Sequence, residues 1–157
     1  MEYSFAPLIE DSSKILILGS LPGVRSLEEQ QYYAHPMNKF WGIMFSVFSE
    51  TFSCDYERRC RLLADNGVAL WDVIRCAERT GSLDGNIRMG EPNDIPKLLA
   101  THPNIGRILF NGGCAFSTYK KYFGQPKVNF VQLLSTSPAC AGRDRERLAM
   151  WRDALTR

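Results

Sequence analysis

Residues Lys14–Ser20 read Lys-Ile-Leu-Ile-Leu-Gly-Ser, and this stretch decides the fold. A short apolar run stopped by glycine, with no polar alternation, is the pattern of a strand covered on both faces, as in a parallel sheet. Similar runs follow at Val68–Val73, Arg107–Gly112 and Val128–Leu134. Helix-like stretches lie between them. Asn38–Glu50 carries Phe40, Trp41, Met44, Phe45 and Phe48 at helical spacing, and Asp55–Asn66 opens on an N-cap candidate and ends before Gly67. Asn93 or Asp94 to Thr101, Gly113–Phe123 and a basic tail, Arg143–Leu155, complete the series. Strand–helix alternation of this kind predicts an α/β fold, a three-layer α/β/α domain with a central, mostly parallel sheet of about four strands. No internal repeat or low-complexity linker divides the chain, so residues 1–157 are expected to form a single domain.

Composition agrees with a globular core: 45% of residues are hydrophobic, 23% charged and 11% aromatic. No apolar run approaches the ~20 residues of a membrane helix, so no membrane partner is expected. Met1–Asp11 has no basic n-region, which argues against a secretory signal and for a cytoplasmic location. The 5 Cys form no CxxC pair and only 2 His are present, so neither a metal site nor a cofactor is expected. The net charge of +2 hides an asymmetry. Residues 1–106 carry 10 basic and 14 acidic side chains, whereas residues 107–157 carry 9 and 3. The basic third suggests one surface that meets an anion; a solvated mixed-charge surface is the plainer alternative.

In parallel sheets ligands sit beyond the carboxyl ends of the strands, so the loops after Ser20, Asp72, Asn111 and Leu134 are the places to look. The first, Gly19–Trp41, has glycines that let a ligand approach the backbone and aromatics that can stack on a planar ring. It matches neither GxGxxG nor a P-loop, since no Lys-Ser/Thr pair follows Gly23. Its length favours function over mere connection. The second, Leu133–Arg147, places Ser135, Thr136 and Ser137 before Pro138, between a strand and a basic helix. Small hydroxyls and backbone N–H groups there suit a phosphate; ordinary capping of the last helix would use the same residues.

Taken together the two loops resemble the uracil-DNA glycosylase superfamily, and within it the hypoxanthine-DNA (deoxyinosine) glycosylase branch. The resemblance rests on Gly19-Ser20-Leu21-Pro22-Gly23, then Tyr33-Ala34-His35-Pro36-Met37-Asn38-Lys39-Phe40-Trp41, and then Ser135-Thr136-Ser137-Pro138-Ala139. ALWDV, GSLD and FNG occur between them in the branch's order, so it spans most of the chain. It departs in two places. Leu21 stands where mismatch-uracil relatives hold the water-positioning Asn of G-I-N-P-G, and Cys140 stands where the branch often has Asn.

The resemblance implies extrusion of a deaminated base from double- or single-stranded DNA and hydrolysis of its bond to deoxyribose, acting as a monomer. Hypoxanthine is the favoured base, and uracil an alternative. Departure of the base leaves an oxocarbenium-like sugar that water attacks. With Leu21 unable to bind water, the catalytic amide falls to Asn38, which would otherwise cap the following helix. Asn111 is expected to donate to O6 of the base and Asp72 to accept from N1–H, unless they serve only as a backbone partner and a turn cap. Tyr33 is expected to stack on the base, with Tyr32 and Trp41 in the core. Gly19, Ser20, Pro22, Gly23, Ser135, Ser137, Pro138 and Ala139 are expected to hold DNA, and Arg143 to fill the vacated stack. His35 either assists the leaving base or is structural. Arg145 and Arg147 alternate with acids and read as a solvated face. Two other functions remain open at this level: a small-nucleotide or nucleoside hydrolase or transferase, and a non-catalytic module that binds damaged DNA.

Overall fold

The computed structural model describes residues 1–157, the side chain of Met89 excepted. The elements in chain order are β1 (Glu2–Tyr3), β2 (Ile15–Gly19), α1 (Val24–Glu29), α2 (Phe40–Val47), α3 (Tyr56–Asp65), β3 (Val68–Asp72), β4 (Ile74–Arg79), a 3-10 turn at Asp84–Asn86, β5 (Ile87–Pro92), α4 (Ile95–Thr101), β6 (Arg107–Asn111), α5 (Gly113–Phe123), β7 (Asn129–Leu133) and α6 (Asp144–Thr156). Four strands form a wholly parallel sheet in the order β3-β2-β6-β7. The four apolar runs read from the sequence are these four strands.

Successive strand residues point to opposite faces, which explains the absence of polar alternation. Ile17, Leu70, Leu109 and Leu133 face one layer, packed with Phe40, Met44, Leu62 and Trp151 of α2, α3 and α6. Leu16, Leu18, Ala69, Ile108 and Phe110 face the other, packed with Ile95, Ala115 and Tyr119 of α4 and α5. Each such Leu, Ile or Phe contributes roughly 1.5–3 kcal/mol on burial. Tyr32 and Trp41 are core residues, as expected. Asp55 stands at the N-cap of α3 but forms no side-chain cap, whereas Asp94 caps α4 by accepting from Lys97 N at 3.1 Å. Gly67 takes φ of +69°, the left-handed turn that carries α3 into β3.

A second, antiparallel sheet, β1-β4-β5, has no counterpart in the sequence reading. Its strands carry Arg75, Glu78, Arg79 and Arg88, and β5 contains Gly90 and ends in Pro92. Register shifts in the β4–β5 pairing further break the two-residue period. The chain passes from β3 to β4 through Val73 alone, so this sheet begins at the tip of the parallel one.

Several cations of the basic C-terminal third are engaged within the protein. Arg107 donates to Ala154 O and, at 3.0 Å, to Arg157 O at the end of α6. Arg157 pairs with Asp153 at 2.5 Å, Arg152 bonds Ser46 Oγ at 3.1 Å, and Arg147 is buried. Lys120 and Lys121 sit in the last turn of α5, at the end remote from its start beside β6. The charge split thus reflects helix-end and loop-bracing cations as much as an interface.

Candidate active site

Register brings the site together. Gly19 at the end of β2 pairs with Asp72 at the end of β3, and Asn111 ends β6. Beyond these tips lies a cavity of about 900 Å³, lined by the Gly19–Gly23 loop, Tyr33, Asn38, residues 82–86 and the Ser-Pro loop. All the expected site residues except Arg143 line it. Glycine at position 19 is a steric requirement: a Cβ there would stand 2.6 Å from Asp72 Oδ1 and 2.8 Å from Tyr33 Oη.

Asp72 is 4% exposed, and its Oδ2 has no hydrogen-bond partner. Burial, reinforced by the neighbouring Asp84 charge and opposed by Arg79, pushes its carboxyl up to about 7. Near neutral pH the protonated form is therefore well populated. Burial and the Asp72 charge also raise the Tyr33 phenol, so that it stays a hydroxyl. Tyr33 adopts φ of +53°, which turns the chain at this point, and its ring stacks on Phe40 at 4.2 Å and 24°.

Asn111 uses its whole amide within the protein. Nδ2 donates to Tyr33 Oη at 3.1 Å and to Thr136 Oγ1 at 3.0 Å, while Oδ1 accepts from Thr136 N at 2.9 Å. Thr136 is fully buried, and its carbonyl accepts from Lys39 N at 2.9 Å. One brace thus joins β6, Tyr33, the Ser-Pro loop and the residue after Asn38. Asn38 is half-buried and lines the cavity; it is not the N-cap of α2, which is Lys39, but its Oδ1 accepts from Phe40 N at 2.9 Å and so holds the residue against the start of the helix. Its Nδ2 has no protein partner among the described residues. His35 is exposed at the cavity and accepts from Met37 N through Nδ1 at 3.1 Å.

In the Ser-Pro loop, Ser135 Oγ accepts from Ser137 N at 3.1 Å and Ser137 Oγ from Ala139 N at 3.2 Å. These backbone N–H groups are occupied, so the hydroxyl protons, rather than the N–H groups, are the donors left for a ligand. Pro138 and Ala139 line the same wall. The loop is clamped by Arg147, which is 1% exposed rather than part of a solvated face. Its guanidinium donates to Ser135 O at 2.8 Å, Cys140 O at 2.5 Å and Asp144 Oδ1 at 2.8 Å. The alternation with acids accounts for the Asp144 contact but conceals the burial, because the other two acceptors are loop carbonyls elsewhere in the sequence. Arg143 is exposed at the N-cap of α6 and forms a bidentate pair with Glu146 at 2.9 and 2.7 Å.

On the opposite wall, Ser20 Oγ donates to Asp84 Oδ1 at 2.8 Å and Pro22 O accepts from Arg79. Gly23 stands at the N-cap of α1, and Val24 N donates to Ser82 Oγ at 2.8 Å. Leu21 is 6% exposed and packs with Ile74 and Ala77, so this position of the glycine loop supplies packing and no polar group. Arg79, Ser82 and Asp84 were missed as site residues; the GSLD motif was the one signal for two of them. Among the described residues no group of three or more His, Cys, Asp or Glu side chains is placed to hold a metal ion. No helix among them is long and apolar enough to cross a membrane.

A parallel sheet with a cavity beyond the carboxyl ends of its strands, walled by a glycine loop and a Ser-Pro loop, defines the class, an α/β protein with its site at the strand tips. Within that class the chain belongs to the uracil DNA glycosylase superfamily, whose family model matches residues 6–156. It is similar to a hypoxanthine DNA glycosylase of Methanosarcina barkeri, 36% identical over 154 residues, 98% of this chain and 97% of the relative. A hypoxanthine DNA glycosylase of Methanosarcina acetivorans is 38% identical over 109 residues, 69% of each chain. The solution NMR structure of a candidate uracil DNA glycosylase from Methanosarcina acetivorans superposes with a TM-score of 0.86 at 32% identity, covering 98% of this chain and 96% of that one.

Proposed function

We propose that this chain is a monofunctional DNA glycosylase that excises deaminated bases, hypoxanthine foremost, leaving an abasic site. The observation that carries this reading is the convergence on one cavity of a buried carboxyl with an unpartnered oxygen, Asp72, and an anchored amide, Asn38. The bond between carbon one of the sugar and the base nitrogen breaks with its electron pair going to the base. A water oxygen then bonds to carbon one, and its proton is released. Asn38 orients that water; a strong base is not needed, because the oxocarbenium-like sugar is itself the electrophile.

Asp72 acts in its protonated form, donating to an acceptor of the departing purine, O6 or N7, in place of the acceptance from N1–H expected from the sequence, because its raised carboxyl carries a proton. A neutral acid at this place offsets charge developing on the base, whereas a carboxylate would oppose it. Tyr33, backed by Phe40, offers its other ring face to the base, a stacking contact worth ~1–3 kcal/mol. The base competes for the Nδ2 proton that Asn111 gives to Tyr33 Oη. Gly19, Ser20, Pro22 and Gly23 on one side, and Ser135, Ser137, Pro138 and Ala139 on the other, hold the strand backbone, with Arg143 beside them. The protein works as a monomer in the cytoplasm on double- or single-stranded DNA.

The test is a set of matched oligonucleotides carrying deoxyinosine, deoxyuridine, deoxyxanthosine or an undamaged base, incubated under single-turnover conditions and then cleaved with alkali. Cleavage at deoxyinosine above the undamaged control is expected. No alkali-labile site with any damaged base would exclude a glycosylase; salt-dependent binding without cleavage would instead favour a damage reader.

A further inference from the structure

Arg79, the last residue of β4, is a cation shut away from water: its side chain is wholly buried. A buried guanidinium is costly unless carboxylates and carbonyls surround it. Arg79 stands 2.9 Å from Glu2 Oε1 and 3.7 Å from Asp84 Oδ1, and it donates to Pro22 O and, at 3.5 Å, to Ser82 O. Glu2 is the nearer carboxylate. It comes from β1, which pairs antiparallel with β4 through Glu2 opposite Ala77 and Tyr3 opposite Cys76. Glu2 Oε1 and Arg79 Nε are buried without hydrogen-bond partners, so charge rather than a directed hydrogen bond holds this pair.

The same N-terminal segment meets the supports of the site at three further points. Ser4 Oγ accepts from Asn93 Nδ2 at 3.0 Å, and that Nδ2 also donates to Asp72 O at 2.7 Å. Phe5 O accepts from Trp71 Nε1 at 2.9 Å, next to Asp72 in the chain, and Ala6 O accepts from Tyr32 Oη at 2.9 Å, next to Tyr33. These contacts brace the backbone. Glu2 differs from them, because it carries the one charged side chain of residues 1–9.

Asp84 and Arg79 act on the Asp72 carboxyl in opposite directions: the anion favours its proton and the cation opposes it. The other titratable groups facing Asp72 are the phenols of Tyr32 and Tyr33, which burial keeps neutral. On α5 the Cys114 thiol, raised by burial, faces Asp84 and Arg79. Arg79 is the cation of this cluster. Away from water, a cation paired with a carboxylate acts on its surroundings as a dipole, whereas an unpaired one acts with its full charge.

We propose that Glu2 is a positioning residue of the site, which holds the Arg79 charge against β1 and so shields the Asp72 carboxyl from it. Shielded in this way, Asp72 keeps the proton that it offers to the departing base. That catalytic consequence rests on the glycosylase reading above. It gives the second sheet a role in the reaction, since β4 carries the cation and β1 brings the carboxylate that neutralises it.

Glu2→Gln keeps the shape of the side chain and removes its charge, and two readouts follow it. One is the carboxyl carbon resonance of Asp72 in the free protein as pH is raised. The other is single-turnover excision of hypoxanthine from a deoxyinosine duplex over the same range. In wild type both midpoints are expected near 7. In Glu2→Gln the unpaired guanidinium should bring both down by about one pH unit, so that excision at neutral pH falls about fivefold while the acid-side rate is held. In an Asp72→Asn background Glu2→Gln should leave the pH dependence of excision unchanged. An Asp72 midpoint that stays in place in Glu2→Gln, or an equal loss of excision at every pH, would overturn the proposal while leaving the glycosylase reading intact. A wild-type protein that leaves the deoxyinosine duplex uncut would overturn that reading; a lowered Asp72 midpoint in Glu2→Gln would still uphold the shielding.

Discussion

Asn111 and Thr136 are locked to each other by two hydrogen bonds, Nδ2 to Oγ1 at 3.0 Å and backbone N–H to Oδ1 at 2.9 Å. The pair ties the tip of β6 to the Ser-Pro loop. Through Thr136 O and Lys39 N it also sets the residue next to Asn38. The site is therefore one braced unit whose parts come from three distant stretches of sequence. Thr136→Val keeps the shape of the side chain and removes the acceptor, leaving one Asn111 donor without its partner. A stability loss of ~1–3 kcal/mol is expected in urea unfolding. Excision should fall while affinity for undamaged DNA is held, because the Ser-Pro hydroxyls remain.

Arg147 predicts a larger effect. Arg147→Met strips the donors from two loop carbonyls, at Ser135 and Cys140, while leaving the aliphatic volume. A loss of about 2–4 kcal/mol is expected. Arg147→Lys should recover little of it, since one ammonium cannot span the three acceptors that the planar guanidinium reaches. Denaturant midpoints of the two variants check both statements.

Asp72 makes stability pH-dependent in a stated direction. Its carboxyl titrates near 7 in the folded chain, well above its ordinary value, so the folded state holds a proton that the unfolded chain releases at lower pH. The stabilisation is fully present below the ordinary carboxylate range and is lost as pH rises to about 7. Asp72→Asn is neutral throughout, so its stability relative to wild type should climb between about pH 4 and pH 7 and then level off. The full span of that climb is roughly 4 kcal/mol at most. Unfolding of both proteins at pH 5 and pH 8 samples most of that climb; a constant difference would contradict the raised carboxyl. Excision by wild type should decline as pH rises through about 7, and Asp72→Asn should flatten that decline.

Gly19→Ala puts a methyl 2.6 Å from Asp72 Oδ1, a contact that forces the carboxyl or the backbone to move. Loss of excision by at least about 10²-fold is expected from misplacement of a reacting group. Far-ultraviolet circular dichroism should be unchanged, because the clash is confined to the strand tips.

Much of this molecule was legible in the sequence, and what was not has physical reasons. Ile15–Leu18 and its three counterparts could be read because burial on both faces leaves a continuous apolar run. Gly19, Asp72 and Asn111 could be placed at strand ends for the same reason. The antiparallel sheet escaped because its strands carry arginines and glutamates, one of them also holds Gly90 and Pro92, and irregular register removes their period. Arg147 escaped because local alternation with acids says nothing about carbonyls 12 and 7 residues upstream. The elevated carboxyl of Asp72 comes first from burial at the closed strand tips, with the charge of Asp84 adding to it, and Asp84 is held at the cavity by a hydrogen bond from Ser20 Oγ, 64 residues away in the sequence.

The account turns on water delivery by Asn38, and one comparison addresses it directly: single-turnover excision of hypoxanthine from a deoxyinosine duplex by wild type and by Asn38→Ala. Wild type is expected to produce alkali-labile sites, and Asn38→Ala to bind the same duplex with excision slowed by at least about 10²-fold. A wild-type excision rate from Asn38→Ala, with the protein folded and the DNA bound, would contradict the account.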